Sequence, residues 1–451
     1  MNRLCSVLVA LMALMPGVSP AKDGSIVIGP VHIVSVSTGR VVPGQAVRIR
    51  AGRIEQVGPN DALARDAGAI FVDGQNGYLI PGLAEMHAHV PSRDRGDIYV
   101  RDVLMMFLAN GVTTIRGMLG EPWHLELRRL LETGAWTGPR LITSGPSFNG
   151  RTVTSAEQAA TRVRQQAAAG YDFLKLHPGL EADEFEALAD AAREAGIPFA
   201  GHVSIAVGID AALRRQQASI DHLDGYAQAL VPPGAPGHGV PPEWFGINLA
   251  DDMDSGGAAK LAAATARAGV WNVPTQALLE HTAGDRPLAE LLDRPFMRYV
   301  SPALKRRWTE QATRIRAQAN PSERARFLRV RRQLIRELQN AGAGILLGSD
   351  APQIMNVPGF SVHEELAFLV QAGLTPLEAL RSGTMQVGKF FGDSTHGCLE
   401  AGCRADGVLL GADPLQDIAN TRQILGVMQG GSWYSRADLD KALDDIKERG
   451  L

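Results

Sequence analysis

A long alternation of strand-like and helix-like stretches limits how this chain can fold more than any other feature of its sequence. Short apolar runs recur between residues 83 and 350, and longer stretches with helical spacing, such as 156–169 and 181–195, separate them. Strands that alternate with helices form parallel sheets, and eight such strands predict an α/β protein with a (β/α)8 TIM-like barrel. The eight candidate strands are residues 83–90, 112–116, 140–143, 173–176, 199–203, 219–222, 270–275 and 345–350.

Short strands also flank this alternation at both ends of the chain. Residues 26–28, 32–36 and 46–49 are separated by turns rich in glycine and proline. Similar short strand-like runs occur at 407–410 and 424–428. Such spacing is typical of small β-structures. We therefore expect a second, smaller domain, a β-sandwich built from both chain ends. The expected boundaries are 81–390 for the barrel, and 22–80 together with 391–451 for the sandwich.

Two connections within the barrel are too long for simple crossovers. They span residues 224–269, which are partly rich in proline and glycine, and 279–344, where a helix is expected to begin at Asn320. Long loops are often lids or binding loops, and the alternative is a surface insertion without a role. We expect the arginine-rich part of the predicted helix, residues 324–336, to form a solvated face.

The N-terminal sequence has the pattern of a secretory signal. Arg3 precedes an apolar run over residues 4–15, a proline and a glycine end the run, and small residues follow at 19–21. This pattern predicts a signal peptide at residues 1–21, and the alternative is a buried N-terminal helix. The run is shorter than the roughly 20 residues of a membrane span, and no later segment is long and apolar enough. We therefore expect an exported protein, periplasmic or extracellular, without a stable membrane anchor.

The charges of the chain are nearly balanced. Lys and Arg total 45 and Asp and Glu total 48, for a net charge of -3. This balance gives no general attraction for nucleic acids or anionic membranes, so neither is an expected partner, whereas an oligomer is compatible with it.

Two cysteines remain after the predicted signal peptide, which contains Cys5. Cys398 and Cys403 are separated by four residues, one of them a glycine. A turn could bring the two sulfurs together, and an exported protein meets oxidising conditions. A disulfide and two free thiols are both open on the sequence alone.

A pair of histidines closes the first barrel strand. Side chains two residues apart in a strand share one face, so His87 and His89 can both point into the barrel mouth. Imidazole nitrogen is a common ligand of zinc and similar metals. The pair alone is weak support for a metal site, and residues on other strands strengthen it.

Lys175 lies near the end of the fourth strand among apolar neighbours. Burial lowers the pKa of a lysine, and the neutral amine is nucleophilic. Such an amine can add carbon dioxide to form a carbamate, whose two oxygens can bridge two metal ions. The alternative is a lysine that reaches solvent or pairs with an acid.

Three further candidate ligands also follow apolar strands. His202 and His222 end the fifth and sixth strands, and Asp350 ends the eighth. A lone buried carboxylate is costly, and a metal ion with its water would supply a partner for Asp350. The ends of barrel strands surround a single mouth, where active sites form, so we expect all six residues to meet there.

These residues and the sequence around them resemble the amidohydrolase superfamily, in its imidazolonepropionase-related branch. That branch includes metal-dependent dipeptidases with a carboxylated lysine and ochratoxin-degrading amidases. The chain departs from the family at Gly117, where the family often has aspartate, and in a longer stretch between the sixth and eighth strands. The segments that carry the resemblance are 79–89, 111–116, 171–175, 201–202, 220–222, 348–352 and 397–406.

The resemblance implies a binuclear metal site. His87 and His89 would bind the first metal with Asp350, His202 and His222 would bind the second, and Lys175, as N6-carboxylysine, would bridge them. The implied cofactors are two divalent ions, expected to be Zn²⁺, and carbon dioxide as the carbamate.

The expected activity is hydrolysis of an amide or peptide C–N bond in a small molecule or short peptide. A metal-bound hydroxide would attack the carbonyl, and Asp350 would act as general base and then general acid. A lactone or ester hydrolase with the same site is an alternative, and a non-catalytic binding barrel is a second one. An apolar substrate pocket would favour aryl amides or lactones, and a pocket for a carboxylate would favour peptides.

Three other residues are weaker candidates for substrate contacts. Tyr226 follows His222 by four positions, His363 lies beyond the eighth strand, and Arg116 ends the second strand. A packing tyrosine, a surface histidine and a structural ion pair are the respective alternatives.

Overall fold

The computed structural model describes residues 24–63 and 68–450. The predicted signal peptide at residues 1–21 lies outside the described residues. Among the helices within those ranges, none has both the length and the apolar character that crossing a bilayer requires.

The described chain alternates strands and helices through most of its length. The strands are β1 (Ser25–Ser35), β2 (Arg40–Arg50), β3 (Arg53–Pro59), β4 (Ala69–Pro81), β5 (Leu83–Ala88), β6 (Val112–Gly117), β7 (Arg140–Thr143), β8 (Leu174–Leu176), β9 (Phe199–Gly201), β10 (Ser219–Asp221), β11 (Trp271–Val273), β12 (Gly407–Leu410), β13 (Ile424–Gln429) and β14 (Ser432–Ser435). The α-helices are α1 (Asn60–Leu63), α2 (Asp97–Ala109), α3 (His124–Glu132), α4 (Ala156–Ala169), α5 (Ala182–Ala195), α6 (Gly208–Arg214), α7 (Tyr226–Ala229), α8 (Ala258–Ala268), α9 (Gln276–Ala283), α10 (Leu288–Leu292), α11 (Pro302–Arg316), α12 (Pro321–Asn340), α13 (Phe360–Gln371), α14 (Pro376–Ser382), α15 (Met385–Phe391) and α16 (Arg436–Arg449).

The strands of the predicted barrel form two parallel sheets. One sheet has the order β5-β6-β7, and the other has the order β11-β10-β9-β8. A parallel bridge between Ser144 and Phe173 joins the edges of the two sheets at β7 and β8. The protein is therefore α/β, as predicted, whereas the closed eight-stranded barrel stays a prediction.

The eighth predicted strand, residues 345–350, is irregular. Ile345 forms a bridge to Asn272 of β11, and Leu347 accepts a hydrogen bond from the Met86 amide of β5, so the segment lies between these two strands. Its end leaves the sheet because the Ser349 amide donates to a side-chain carboxylate rather than to a strand backbone. The next residue, Asp350, then has a positive φ of 64°.

The strands from both chain ends join in one seven-stranded sheet. Its order is β14-β13-β12-β4-β1-β2-β3, so the strands are hydrogen-bonded continuously and do not form the two separate sheets of the predicted sandwich. Ile54 of β3 and Trp433 of β14, at opposite ends of this order, share one buried core. The sheet therefore curls around its own core, which a single sheet can do when its strands are long and twisted.

The long connections predicted at 224–269 and 279–344 are mainly helical. The helix predicted to begin at Asn320 is α12, and the Asn320 side chain caps it by accepting hydrogen bonds from the Ser322 and Glu323 amides. The expectation of a solvated arginine face is wrong for Arg331, which is buried on the side of α12 that packs against the barrel.

Candidate metal centre

The end of β5 and the turn after residue 349 bring three candidate ligands together. The His89 Nε2 atom lies 2.6 Å from Asp350 Oδ1, and the His87 Nε2 atom lies 3.5 Å from the same oxygen. One potential ligand atom from each of His87, His89 and Asp350 lies within 4.8 Å of the others. These three side chains can therefore hold one metal ion, as the sequence predicts.

Glu85, which the sequence analysis missed, connects the two segments that carry these ligands. Its carboxylate accepts hydrogen bonds from the His87 amide at 2.9 Å and from the Ser349 hydroxyl at 2.6 Å. Burial raises the pKa of Glu85 to about 8. An acid inside an apolar strand, two residues before His87, was the available signal.

His222 lies next to this cluster in a strained conformation. It has a positive φ of 61°, and its ring centroid lies 4.4 Å from that of His87 and 4.6 Å from that of His202. The His222 Nδ1 atom lies 2.9 Å from the Thr275 hydroxyl. The second pair of predicted ligands is therefore adjacent to the first.

The backbone of His222 is held by the buried guanidinium of Arg331 on α12. Arg331 donates to the His222 carbonyl at 2.7 Å, to the Pro274 carbonyl at 2.9 Å and to the Gln276 side chain at 3.2 Å. Burial lowers the pKa of Arg331 to about 10, so the side chain keeps its charge at neutral pH. An inserted helix thus fixes a predicted metal ligand.

His202 is oriented by two side chains. Its Nδ1 atom lies 2.8 Å from Asp224 Oδ2, and its ring stacks on His177 with the centroids 5.1 Å apart. Carboxylates commonly orient metal-binding imidazoles in this way. Neither partner was identified from the sequence.

Lys175 lies in β8 and is fully buried. Burial lowers its pKa to about 8, while Asp221, whose Oδ2 lies 3.7 Å from Nζ, acts in the opposite direction. Gly201 makes room for the lysine, because a Cβ at residue 201 would lie 3.1 Å from Nζ and 2.4 Å from the Leu176 carbonyl oxygen. This close approach explains the glycine before His202.

Asp221 is a second acid that the sequence analysis missed, although it directly precedes His222. Its Oδ2 lies 3.1 Å from His87 Nδ1, and its Oδ1 accepts a hydrogen bond from Arg116 at 3.2 Å. Burial alone would raise the pKa of Asp221, but the Arg116 and Lys175 cations hold it below its usual value. Arg116 also donates to the Ser219 hydroxyl and the Met86 carbonyl. It therefore forms the buried ion pair that was the alternative to a substrate contact.

The other two weak candidates do not join the cluster. Tyr226 is buried, and its hydroxyl lies 2.9 Å from the Thr265 hydroxyl and donates to the Asn272 side chain at 2.8 Å. The ring nitrogens of His363 lie 3.0 Å from the Thr421 hydroxyl and 3.1 Å from the Asn110 carbonyl. Tyr226 packs in the interior, which is the alternative given for it, and His363 is buried rather than at the surface.

The donor set fits divalent metal ions. His87 Nδ1, Lys175 Nζ and Asp221 Oδ2 are buried close together, with Asp221 Oδ2 3.1 Å from His87 Nδ1 and 3.7 Å from Lys175 Nζ. Burial lowers the pKa of His87 and of His222 well below the ordinary value, so both rings are neutral and offer lone pairs. Neutral imidazoles together with carboxylates are ligands that zinc accepts.

A cavity of about 540 Å³ opens beside His202. Phe245, from the first long connection, forms part of its wall, and its ring centroid lies 4.9 Å from that of His222 and 6.2 Å from that of His202. A larger cavity of about 810 Å³ lies between the curled sheet and α15, and none of the candidate ligands lines it. Of these two cavities, the smaller one adjoins the candidate metal centre.

The disulfide left open by the sequence is present. Cys398 and Cys403 are bonded, in the segment that precedes β12. Because this segment lines the larger cavity, the disulfide belongs to the sheet domain and not to the metal centre.

Comparison with known proteins finds a matching family and similar solved structures. The family model described as "Amidohydrolase family" matches residues 78–434. A solved bottromycin amidohydrolase is 25% identical, with a TM-score of 0.71 over 94% of this chain and 90% of its own. A solved Xaa-Pro dipeptidase with bound methionine in its active site is 18% identical, with a TM-score of 0.68 over 91% of this chain and 100% of its own. These likenesses support a TIM-like barrel with an extra domain.

A relative identified by its sequence is named as a deaminase and not as an amidohydrolase or dipeptidase. Adenine deaminase 3 from Rhizobium meliloti (strain 1021) is 29% identical over 199 residues, which are 40% of this chain and 32% of that protein. The chain thus spans about a third of the length of this relative.

Proposed function

The chain belongs to the amidohydrolase family, and on that basis we propose that it is a metal-dependent hydrolase that cleaves the C–N bond of an amide. The observation that carries this proposal is the convergence of His87, His89 and Asp350, whose ligand atoms lie within 4.8 Å of one another. His202 and His222 extend the same cluster.

Each predicted ligand has a place in the proposed site. His87, His89 and Asp350 would hold one divalent ion, His202 and His222 would hold a second, and carboxylated Lys175 would lie between them. Bound divalent ions, expected to be zinc, would polarise the substrate carbonyl and lower the pKa of water.

Asp350 is the proposed general base and then general acid. Its carboxylate lies at the mouth, 2.6 Å from His89 Nε2, where it can accept a proton from the attacking water and pass it to the leaving nitrogen. Ser349 and Glu85 fix the backbone beside Asp350. Asp221 faces Nδ1 of His87 and so leaves Nε2 of that ring directed toward Asp350.

Lys175 is the proposed site of carboxylation. The amine is fully buried, and burial lowers its pKa to about 8, which favours the neutral form although Asp221 acts in the opposite direction. The nitrogen would form a bond to the carbon of carbon dioxide and lose one proton to solvent, giving an anionic carbamate. The negative charge would then balance part of the charge of two divalent ions.

Deamination is a second candidate function. It is favoured by the resemblance to adenine deaminases, which covers 40% of the chain in the relative described above. Attack of water at a ring carbon that bears an amino group uses the same general base. A lactone or ester hydrolase with this site stays a further alternative.

Metal content and turnover test the proposal together. We expect about two zinc-like ions per chain in protein purified without chelators and with bicarbonate present, and hydrolysis of some member of a panel of anilides, N-acyl amino acids and dipeptides. A ¹³C carbamate signal from ¹³C-bicarbonate should vanish in Lys175→Met. Release of ammonia from adenine without hydrolysis of any amide would favour the deaminase, and a metal-free inactive protein would contradict both.

We also propose that the protein is exported, on the strength of the sequence of residues 1–21. The disulfide between Cys398 and Cys403 is the kind of bond that oxidising compartments retain. Mass spectrometry of the secreted or periplasmic protein should find an N-terminus close to residue 22, and a full-length cytoplasmic protein would contradict export.

A further inference from the structure

The cavity beside His202 has a markedly apolar wall. Val203, Ile205, Pro242 and Phe245 contribute to it, and Ile205 is 64% exposed. A large aliphatic side chain left this open next to a reactive centre is available for contact with a ligand. The volume of about 540 Å³ lies within the range of small-molecule sites.

The charges that line this cavity are acidic. Glu181 and Asp224 both face it, and the lining contains no lysine or arginine. Asp224 is paired with His202 at 2.8 Å, and the Glu181 side chain is exposed. A substrate carboxylate placed here would meet two like charges and no lysine or arginine.

Phe245 is held over the centre by strained backbone. Trp244, Phe245 and Gly246 have successive positive φ values of 23°, 59° and 93°. The Trp244 indole donates to the Thr282 hydroxyl at 3.0 Å, and a Cβ at residue 246 would lie 2.4 Å from the Ala227 Cβ. Strain of this kind persists where the surrounding structure enforces it, and such positions cluster at functional sites.

We propose that this cavity is the subsite for an apolar, carboxylate-free group of the substrate, an aryl or branched alkyl group, and that Phe245 determines this specificity. The inference rests on the proposed amide hydrolysis. Phe245 stacks over His202, so a flat ring bound in the cavity would contact its face while the scissile bond reaches the histidine cluster.

Two acetanilides that differ at one position test the subsite. In 4-methylacetanilide and 4-acetamidobenzoate the acyl group is the same, and the aryl ring bears a methyl group or a carboxylate. We expect kcat/KM to be about 10-fold higher for the methyl compound, because the carboxylate meets Glu181 and Asp224. Glu181→Gln should narrow this ratio.

Substitution of Phe245 separates specificity from catalysis. Phe245→Ala should lower kcat/KM for 4-methylacetanilide by about 10-fold or more and leave acetamide within about twofold. Phe71→Ala, at a phenylalanine that is 48% exposed on β4, is the matched control and should change neither. An equal loss for both substrates, or a preference for the carboxylate, would overturn the subsite.

A binding measurement keeps this test independent of turnover. Equilibrium dialysis of the two acetanilides against Asp350→Asn protein should show tighter binding of the methyl compound. Binding of the methyl compound should weaken when Phe245→Ala is added, and the preference over the carboxylate should narrow when Glu181→Gln is added. Absence of turnover in the wild type with this binding preference intact would reject the proposed function alone. Turnover without the preference would reject the subsite alone.

Discussion

The two halves of the metal centre are held in place by different parts of the molecule. His87, His89 and Asp350 are fixed by neighbouring barrel segments, through the Glu85 carboxylate that joins β5 to Ser349. His202 and His222 depend on side chains from the long connections and their surroundings. Those side chains are Asp224, Thr275 and Arg331.

This difference separates what the barrel supplies from what the insertions add. The first half rests mainly on β5, on the adjacent irregular segment at residues 345–350 and on the Glu85 carboxylate between them. The second half needs a helix, α12, that lies far from His222 in sequence and reaches it with one guanidinium. We therefore expect the second half to lose metal first when its support is weakened, and to vary more between related chains.

Substitution of Asp350, the proposed proton carrier, should have the largest effect on turnover. Asp350→Asn removes the proposed general base and a proposed ligand of the first half, so we expect kcat to fall about a thousandfold. Circular dichroism should show that the fold is retained. Asp440→Asn, at a side chain that is 61% exposed, is the control and should keep full activity. Turnover retained in Asp350→Asn would exclude the proposed role.

Loss of Arg331 should damage the second half selectively. Arg331→Met leaves the His222 and Pro274 carbonyls without their buried donor, and we expect it to cost about 2–4 kcal/mol of stability. The protein should bind about one metal ion per chain instead of two, which elemental mass spectrometry measures. Arg329→Met, at an exposed position of the same helix, should retain both metals. Two tightly bound metals in Arg331→Met would show that the guanidinium does not position His222.

Ser349→Ala should weaken the first half more mildly. The variant loses the hydroxyl that donates to Glu85 and keeps the backbone amide bond to the same carboxylate. We expect metal affinity of the first half to fall about 10-fold, measured by competition with a chelator. The second half should be unchanged, so a parallel loss at both positions would contradict the separation between them.

The disulfide should have the smallest effect on the centre. Replacing Cys398 and Cys403 by serine opens a short loop in the sheet domain, and we expect a loss of about 2 kcal/mol in stability. Urea denaturation measures this loss, while kcat and metal content should stay at wild-type values. A change in metal content would mean that the sheet domain shapes the centre directly.

The sequence predicts six candidate ligands because all six lie at or near the ends of apolar strands. The spacing of His87 and His89 in one strand indicates that both side chains face the barrel mouth. Lys175, His202, His222 and Asp350 lie at or near the ends of other strands, and the ends of parallel barrel strands surround the same mouth. The structure brings His87, His89 and Asp350 together, and the His222 ring lies beside those of His87 and His202. Tyr226 and His363 had only proximity in sequence as support, and both are engaged in packing elsewhere.

The supporting residues could not be predicted in the same way. Glu85 and Asp221 are acids inside strands, and their partners become known only when the strands are adjacent. Arg331 belongs to a helix so rich in arginine that its composition alone predicts a solvated face. Its burial depends on which face of α12 packs against the barrel, a long-range property. The curled sheet was missed for a similar reason, since the pairing of β1 with β4 is not a local feature.

The sheet shared by both chain ends affects how the protein can be made. β12 pairs with β4, which leads directly into β5 and its two histidines, and the Gly82 amide at this junction donates to the Asp406 carbonyl. A growing chain therefore carries the edge of β4 uncovered until the residues after the barrel have been synthesised. An uncovered strand edge pairs readily with other chains. Chains interrupted before residue 407 should accumulate as aggregates, so the last strands act as protection during biogenesis.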